Sequence, residues 1–358
     1  MPTHLLTAIA AATSVLGAVA TSVASRSCAC PVEEREKAKQ RSGRDAIVMS
    51  VTKAQMPHMV DSRASSLRRS LRLLHRNFNA CFKKDVLLFH RGDFGSSDAA
   101  SLRQEFGPEV QLHLIRPGFD VHFPLPAGFA TQANHSRDWA LFPEYNVEFR
   151  HVCRWNGVLI YNYLADLGYE FFMRLDDDSE MLSCINYDLF DFMQRRRFAY
   201  GFRLYEHDWE ETVQGFPELA RRFFEEADMR PTDQLLQQFS GGNLSSRTWN
   251  RVTSYNNFVI SSLEFWRLPL VQAWLAKVDA SMLPYTQRLS DGPVQFFTVL
   301  MFLAWDRVHR FVDWSYRHQH AFEERDVRLD PRLADALKAS QLGEDDDGGG
   351  RFGTGWEG

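Results

Sequence analysis

The segment RLDDDSE at 174–180 carries the densest set of groups able to do chemistry. It closes the apolar run Tyr169-Glu-Phe-Phe-Met-Arg-Leu175, which has the length and composition of a buried strand. Burying that strand forces Asp176, Asp177 and Asp178 to its carboxyl end, where open α/β sheets place their ligands. Carboxylates crowded together repel one another and call for a cation. Hard oxygen donors suit Mn²⁺ or Mg²⁺, which would bridge a diphosphate and stabilise a departing phosphate. Asp176 and Asp178, at alternate positions of an extended segment, point to the same side. Taken alone, the motif also fits an acidic turn after a strand.

Other islands hold candidate partners. FRHVCRWNG (149–157) places Arg150, His151 and Arg154 near the start of a helix, where arginines grip phosphate or sugar hydroxyls, or simply decorate a surface. YGFRLYEHDWEE (200–211) follows a strand with Glu206, His207 and Asp208. In RLSDGP (288–293), Asp291 precedes a Gly-Pro turn and an apolar helix, an arrangement able to aim a carboxylate into a cleft. DWSYRH (313–318) ends on His318, a metal-ligand candidate, although a lone histidine is more often not a ligand.

The elements that must position these groups alternate. Strands are expected at 46–51, 86–89, 110–115, 169–175, 199–205 and 309–313. Helices are expected over 62–78, 97–106, about 146–167, 187–195, 217–226 and 293–305, the first capped by Asp61-Ser62 with Leu67, Leu71 and Leu74 on one face. Strand, helix, strand in succession is the pattern of a parallel α/β sheet.

A chain of 358 residues, 44% hydrophobic, can bury a large core. Its net charge of −5 is mild and no block of like charge dominates, so nothing points to nucleic acid. The 28 Phe, 9 Trp and 10 Tyr fill a core, and some could line a sugar site. From Leu5 to Ala24 no charge occurs, long enough for a bilayer span and equally readable as a cleaved signal. Either places the remainder in the secretory lumen. Residues 1–25 are thus a signal-anchor or signal peptide, 26–43 a stem, 44–325 the catalytic domain, and 326–358 a tail with little to bury. Of Cys28, Cys30, Cys81, Cys153 and Cys184, the pair Cys153–Cys184 is one candidate disulfide, although spacing does not fix connectivity. Sequons stand at Asn134 and Asn243.

The segments FRHVCRW, FFMRLDDD, CINYDLFDFMQ, YGFRLYEHD, SYNNFVISSLEFWR, RLSDGPV and FVDWSYRH, in this order over 45 to about 322, resemble the family 15 glycosyltransferases. These are fungal Golgi α-1,2-mannosyltransferases that use GDP-mannose. The resemblance implies a GT-A type nucleotide-diphospho-sugar transferase fold, with a mixed, mostly parallel sheet flanked by helices. It also implies a retaining, Mn²⁺-dependent reaction on a glycan or glycoprotein acceptor, and a type II membrane anchor.

Matched residue by residue, Asp176 and Asp178 fall on the first and third positions of a DxD-like motif. His318 falls on a metal-contacting histidine, Asp208 on an active-site glutamate and Asp291 on an aspartate. Asp176 and Asp177, with Arg150 and Arg154, would hold the sugar nucleotide; Asp178 and His318 the metal; Asp208 and Asp291 would orient donor and acceptor. Phe149 stands where the family prefers Tyr, and Val259 where it carries a glutamate proposed to serve the retaining step. The alternative to an active enzyme is therefore a relative that binds nucleotide or glycan without turnover.

Overall fold

The computed structural model describes residues 28, 30–32, 43–53, 63–129, 147–318 and 321–323. The apolar run Leu5–Ala24, most of the 26–43 stem, the Asp61-Ser62 cap, Asn134 and the 326–358 tail lie outside the described residues.

The chain opens with β1 (Asp45–Ser50) and α1 (Arg63–Leu74), which continues through a π turn at His75–Asn79 into Ala80–Phe82. There follow β2 (Asp85–His90), α2 (Ser96–Phe106) and β3 (Val110–Leu114). Helix α3 (Val147–Arg154) also runs through a π turn, Trp155–Leu159, into Ile160–Asp166, and leads to β4 (Phe171–Leu175). Next come β5 (Ser179–Met181), α4 (Leu189–Arg195), β6 (Tyr200–Phe202), β7 (Tyr205–His207) and α5 (Phe216–Glu226). The remainder is β8 (Val252–Ser254), β9 (Phe258–Ser262), α6 (Pro269–Ala280), α7 (Asp291–Phe302), β10 (Val308–Arg310), β11 (Tyr316–His318) and β12 (Ala321–Glu323).

Among the described residues, seven strands form the main sheet in the order β10-β6-β9-β4-β1-β2-β3. All neighbours are parallel except β9, which runs against both β4 and β6. The sheet is therefore mixed and mostly parallel, as expected. Its strands are apolar on both faces because helices cover both. Ala46, Val48, Leu87, Phe89 and Phe172 face a core shared with Trp155, Tyr161 and Leu164 of the α3 run and with α7. Ile47, Met49, Val86, Leu88 and Met173 face the other core, built with Leu67, Leu71, Leu74 and Phe78 of the α1 run and Leu189 and Phe190 of α4. The period-2 alternation of side chains along each strand sorts them between these layers.

Three parts of the fold differ from the sequence expectation. The strand expected at 199–205 splits, Tyr200–Phe202 staying in the main sheet and Tyr205–His207 pairing with β8 in a separate ribbon. β9 was not expected; it is five residues buried on both faces, so no alternation marks it. The cysteines pair as Cys28–Cys81 and Cys30–Cys184, leaving Cys153 free and buried inside α3. The Cys153–Cys184 candidate is thereby corrected. Cys28 and Cys30 are not part of a loose stem, since both are stapled to the domain.

Candidate active site

β4 delivers Asp176–Asp178 at its carboxyl end, and the chain then folds straight back as β5. β5 pairs antiparallel with β11, setting His318 opposite Ser179. That register brings a histidine from the far end of the chain beside the acidic turn. His318 Nε2 lies 2.9 Å from Asp178 Oδ1 and 3.6 Å from Asp176 Oδ2. One donor atom from each of Asp176, Asp178 and His318 falls within 4.8 Å of the others, a spacing that suits a single cation. On its other side, His318 Nδ1 is 2.6 Å from the Tyr255 hydroxyl. Burial and the carboxylates of Glu206, Asp176 and Asp178 push the Tyr255 phenol up, so it stays protonated. Such a partner on the second ring nitrogen fixes the tautomer and orientation of a metal-binding histidine.

Arg174, the last charged residue within β4, links this trio to α7. The residue is 8% exposed, and its guanidinium donates to Asp176 Oδ1 at 2.8 Å and to Asp291 Oδ2. Burial alone would lower the Arg174 pKa, but Asp176 and Asp291 more than offset it and hold the group charged. Burial pushes the Asp291 carboxyl up, against the pull of Arg174 and of Asn256, whose Nδ2 donates to Asp291 Oδ2 at 2.8 Å. Asp291 opens α7 pressed against the α3 π turn. A Cβ on Gly157 would lie 3.2 Å from Asp291 Cβ and 3.3 Å from its Cα, so only glycine allows this approach without displacement.

Asp208 lies beside the same helix start. Its carboxylate accepts from Trp209 N at 2.7 Å, Thr212 Oγ1 at 2.8 Å and Ser290 Oγ at 2.7 Å. Both oxygens are engaged, and they tie the loop after β7 to the residue preceding Asp291. The Glu206 carboxyl is pushed well up by burial and by Asp208 and Asp291. Arg288 spans the rings of Phe149 and Trp209, 5.4 and 5.3 Å from their centroids.

Two expected nucleotide ligands are corrected. Arg154 is 1% exposed and donates to both Asp279 oxygens, at 2.5 and 2.9 Å, and to the Pro124 carbonyl at 2.6 Å. Arg150 is equally buried and donates to the Tyr285 carbonyl at 2.7 Å. They fasten α3 to its surroundings rather than reach for phosphate, because α3 turns that face inward. Asp177, 1% exposed, is packed inside while its neighbours face the rim. Sequence reasoning passed over Tyr255 and Arg174. A lone arginine inside an apolar strand was a readable signal for Arg174; nothing local marks Tyr255, which becomes relevant only through the β5–β11 pairing.

Val259 sits fully buried in β9, opposite Arg174 of β4 and Phe202 of β6. Glu264 does not stand in for it. It lies past the end of β9, beside the amino end of β4, across the sheet from the carboxylates.

The sequence profile of the glycolipid 2-alpha-mannosyltransferases matches residues 13–328. The chain belongs to this family. It is 27% identical over 170 residues to the glycolipid 2-alpha-mannosyltransferase of Saccharomyces cerevisiae, covering 48% of this chain and 38% of that protein. To glycolipid 2-alpha-mannosyltransferase 2 of Candida albicans it is 22% identical over 264 residues, 72% of this chain and 56% of the relative. The matches thus span about half the length of these relatives, or less. Among solved structures, core-mannan synthase A of Aspergillus fumigatus in its Mn/GDP form superposes with TM-score 0.66 at 18% identity, covering 82% of each chain. The mannosyltransferase Ktr4p of Saccharomyces cerevisiae in complex with GDP gives TM-score 0.62 at 18% identity, over 78% of this chain and 72% of that one. The family thus shares with this chain the GT-A architecture described above.

Proposed function

We propose that the chain is a metal-dependent retaining mannosyltransferase. It would move mannose from GDP-mannose to a mannoside on a glycan or glycoprotein, in α-1,2 linkage. The observation that carries this reading is the convergence of Asp176, Asp178 and His318 at the carboxyl rim of β4. These residues would hold Mn²⁺ or Mg²⁺, which supplies counter-charge to a diphosphate leaving group. Arg174 bridges Asp176 and Asp291 and keeps both carboxyl groups aimed. Asp291, Asp208 and Glu206 offer hydrogen-bond partners to sugar hydroxyls. With valine at 259, no carboxylate stands on β9 to attack the donor sugar. The route this favours has the departing phosphate take the acceptor proton on the same face. A binding-only role finds no support in the geometry, since the cation donors and the Arg174–Asp291 pair are intact.

Two disulfides fit an oxidising compartment. Together with the apolar run Leu5–Ala24 they support a lumenal domain on a type II anchor in the Golgi. Among the described residues no helix is long and apolar enough to cross a membrane.

The test incubates the purified chain with Mn²⁺, a panel of sugar nucleotides and mannoside acceptors. Expected is transfer from GDP-mannose, abolished by chelation and lowered at least about a hundredfold by Asp178→Asn or His318→Ala. The absence of both transfer and nucleotide release with every donor would refute it.

A further inference from the structure

The triplet Asn243-Leu-Ser is a motif that the proposed activity leaves unused. An Asn-x-Ser triplet without proline is the acceptor pattern for an oligosaccharide on the side-chain amide, and only a surface turn can carry so bulky a group. A triplet arising by chance need not meet that second condition. This one does.

Ser240, Gly241, Gly242 and Asn243 are all exposed. They form the tip of the connection between Phe239 and Trp249, which pair antiparallel. Gly241 and Gly242 both take a φ of +67°, and a Cβ added at either would meet nothing within 4 Å. The turn therefore stands in open space, with room for a sugar around it. Asn243 is itself extended, at φ −102° and ψ 116°. Its backbone carbonyl accepts from Thr248 Oγ1, and among the described residues no bond engages its side-chain amide.

The base of the turn is held firmly. Leu244 is buried, and Glu218 of α5 accepts from Ser246 N at 2.8 Å, Ser246 Oγ at 2.6 Å and Ser245 Oγ at 3.2 Å. Phe239 and Trp249 pack against Phe297 of α7. These contacts run to the helical layer and not to Asp176, Asp178 or His318, so a group on Asn243 leaves the cation site open. The two disulfides fit the oxidising lumen, where such oligosaccharides are attached.

We propose that Asn243 is an N-glycosylation site, its amide nitrogen taking an oligosaccharide from a lipid-linked diphosphate donor. In that transfer a C–N bond forms at the anomeric carbon and the C–O bond to the diphosphate breaks. The lipid diphosphate leaves with the electron pair, and one amide proton passes to a base of the transferring enzyme. In the folded turn the Ser245 hydroxyl is taken up by Glu218, so transfer occurs on the entering chain, before the turn closes. The inference rests on the lumenal reading given above, and the experiment separates the two.

The full chain, given a reporter Asn-Gly-Thr triplet after Gly358, is expressed in a eukaryotic secretory host. It is then denatured and treated with peptide N-glycosidase in heavy-oxygen water, and its tryptic peptides are read by mass spectrometry. Expected is conversion of Asn243 to isotope-labelled aspartate in the peptide ending at Arg247. The label should vanish in Asn243→Gln and in Ser245→Ala and persist in Ser245→Thr. Ser246 retains two of the three bonds to Glu218 when Ser245 is replaced, so the turn survives that change. A labelled reporter beside an unmodified Asn243 overturns the proposal and leaves the lumenal reading standing; label at neither overturns both. Label at Asn243 that appears without the glycosidase marks spontaneous deamidation and likewise overturns the proposal.

Discussion

Removing one oxygen from Tyr255 should loosen the cation site without touching a ligand. Tyr255→Phe keeps the ring that meets His318 edge-on at 5.2 Å and deletes only the hydroxyl 2.6 Å from Nδ1. For Nε2 to offer its lone pair to a cation, the proton must sit on Nδ1, where it donates to the Tyr255 oxygen. Without that acceptor, the tautomer carrying its proton on Nε2 gains ground. That proton would donate to Asp178 Oδ1, 2.9 Å away, and occlude the ligand atom. Partners of this kind change metal affinity by about 10–100-fold, or ~1.4–2.7 kcal/mol. Titrating Mn²⁺ against the chain, with free ion read by electron paramagnetic resonance, measures this directly, both with and without GDP. His318→Ala sets the limit of complete ligand loss, and thermal melting checks that the fold persists. A Tyr255→Phe dissociation constant within about twofold of the unaltered protein would show that the hydroxyl does not set the tautomer.

Asp291→Asn should destabilise the fold by about 3 kcal/mol in denaturant titration, because it leaves the buried Arg174 guanidinium short of one partner; an unchanged midpoint would contradict that pairing. The double substitution Cys30→Ser/Cys184→Ser should cost about 2–4 kcal/mol, since the bridge spans 154 positions, and should lower the melting temperature more than Cys28→Ser/Cys81→Ser, whose bridge spans 53. His151 yields a pH prediction. Burial, then Arg91 and Arg154, depress its pKa from 6.5 to about 4. The unfolded chain therefore takes up the proton first as pH falls. The stability held by neutral His151 is complete above about pH 6.5 and is lost toward pH 4. At pH 5 the loss reaches up to about 2 kcal/mol, and His151→Phe should flatten that limb of the stability curve.

The parallel half of the sheet was legible because β1, β2 and β4 are continuous apolar runs separated by amphipathic helices. The acidic rim was legible for the same reason: once β4 is buried, Asp176 and Asp178 have nowhere else to go. His318 was a candidate ligand by residue type, but only the family resemblance tied it to them, since its partner strand β5 is only three residues long and shows no pattern. The arginines misled because a charged residue in a helix is read as exposed, whereas Arg154 is buried by two contacts distant in sequence, Pro124 and Asp279. Disulfide pairing was illegible for the general reason that spacing does not encode connectivity.

Charge counting links valine at 259 to the cation. Asp176, Asp178 and Asp291 bring three carboxylates to the rim, and Arg174 answers one. With His318 neutral, as a ligand must be, Asp176, Asp178 and Asp291 outnumber Arg174, and a divalent cation offsets the excess. A glutamate at 259 would stand directly across from Arg174 on the neighbouring strand and compete with Asp291 for its guanidinium. Valine leaves Arg174 free to clamp Asp176 and Asp291 together, so the position that loses a carboxylate on β9 gains rigidity in the two that remain on either side. On this argument Val259→Glu should weaken the Arg174–Asp291 pair, and with it the alignment of Asp176 toward the cation. Weaker Mn²⁺ binding in that variant is the expected result; tighter binding would mean that the added carboxylate joins the cation site instead.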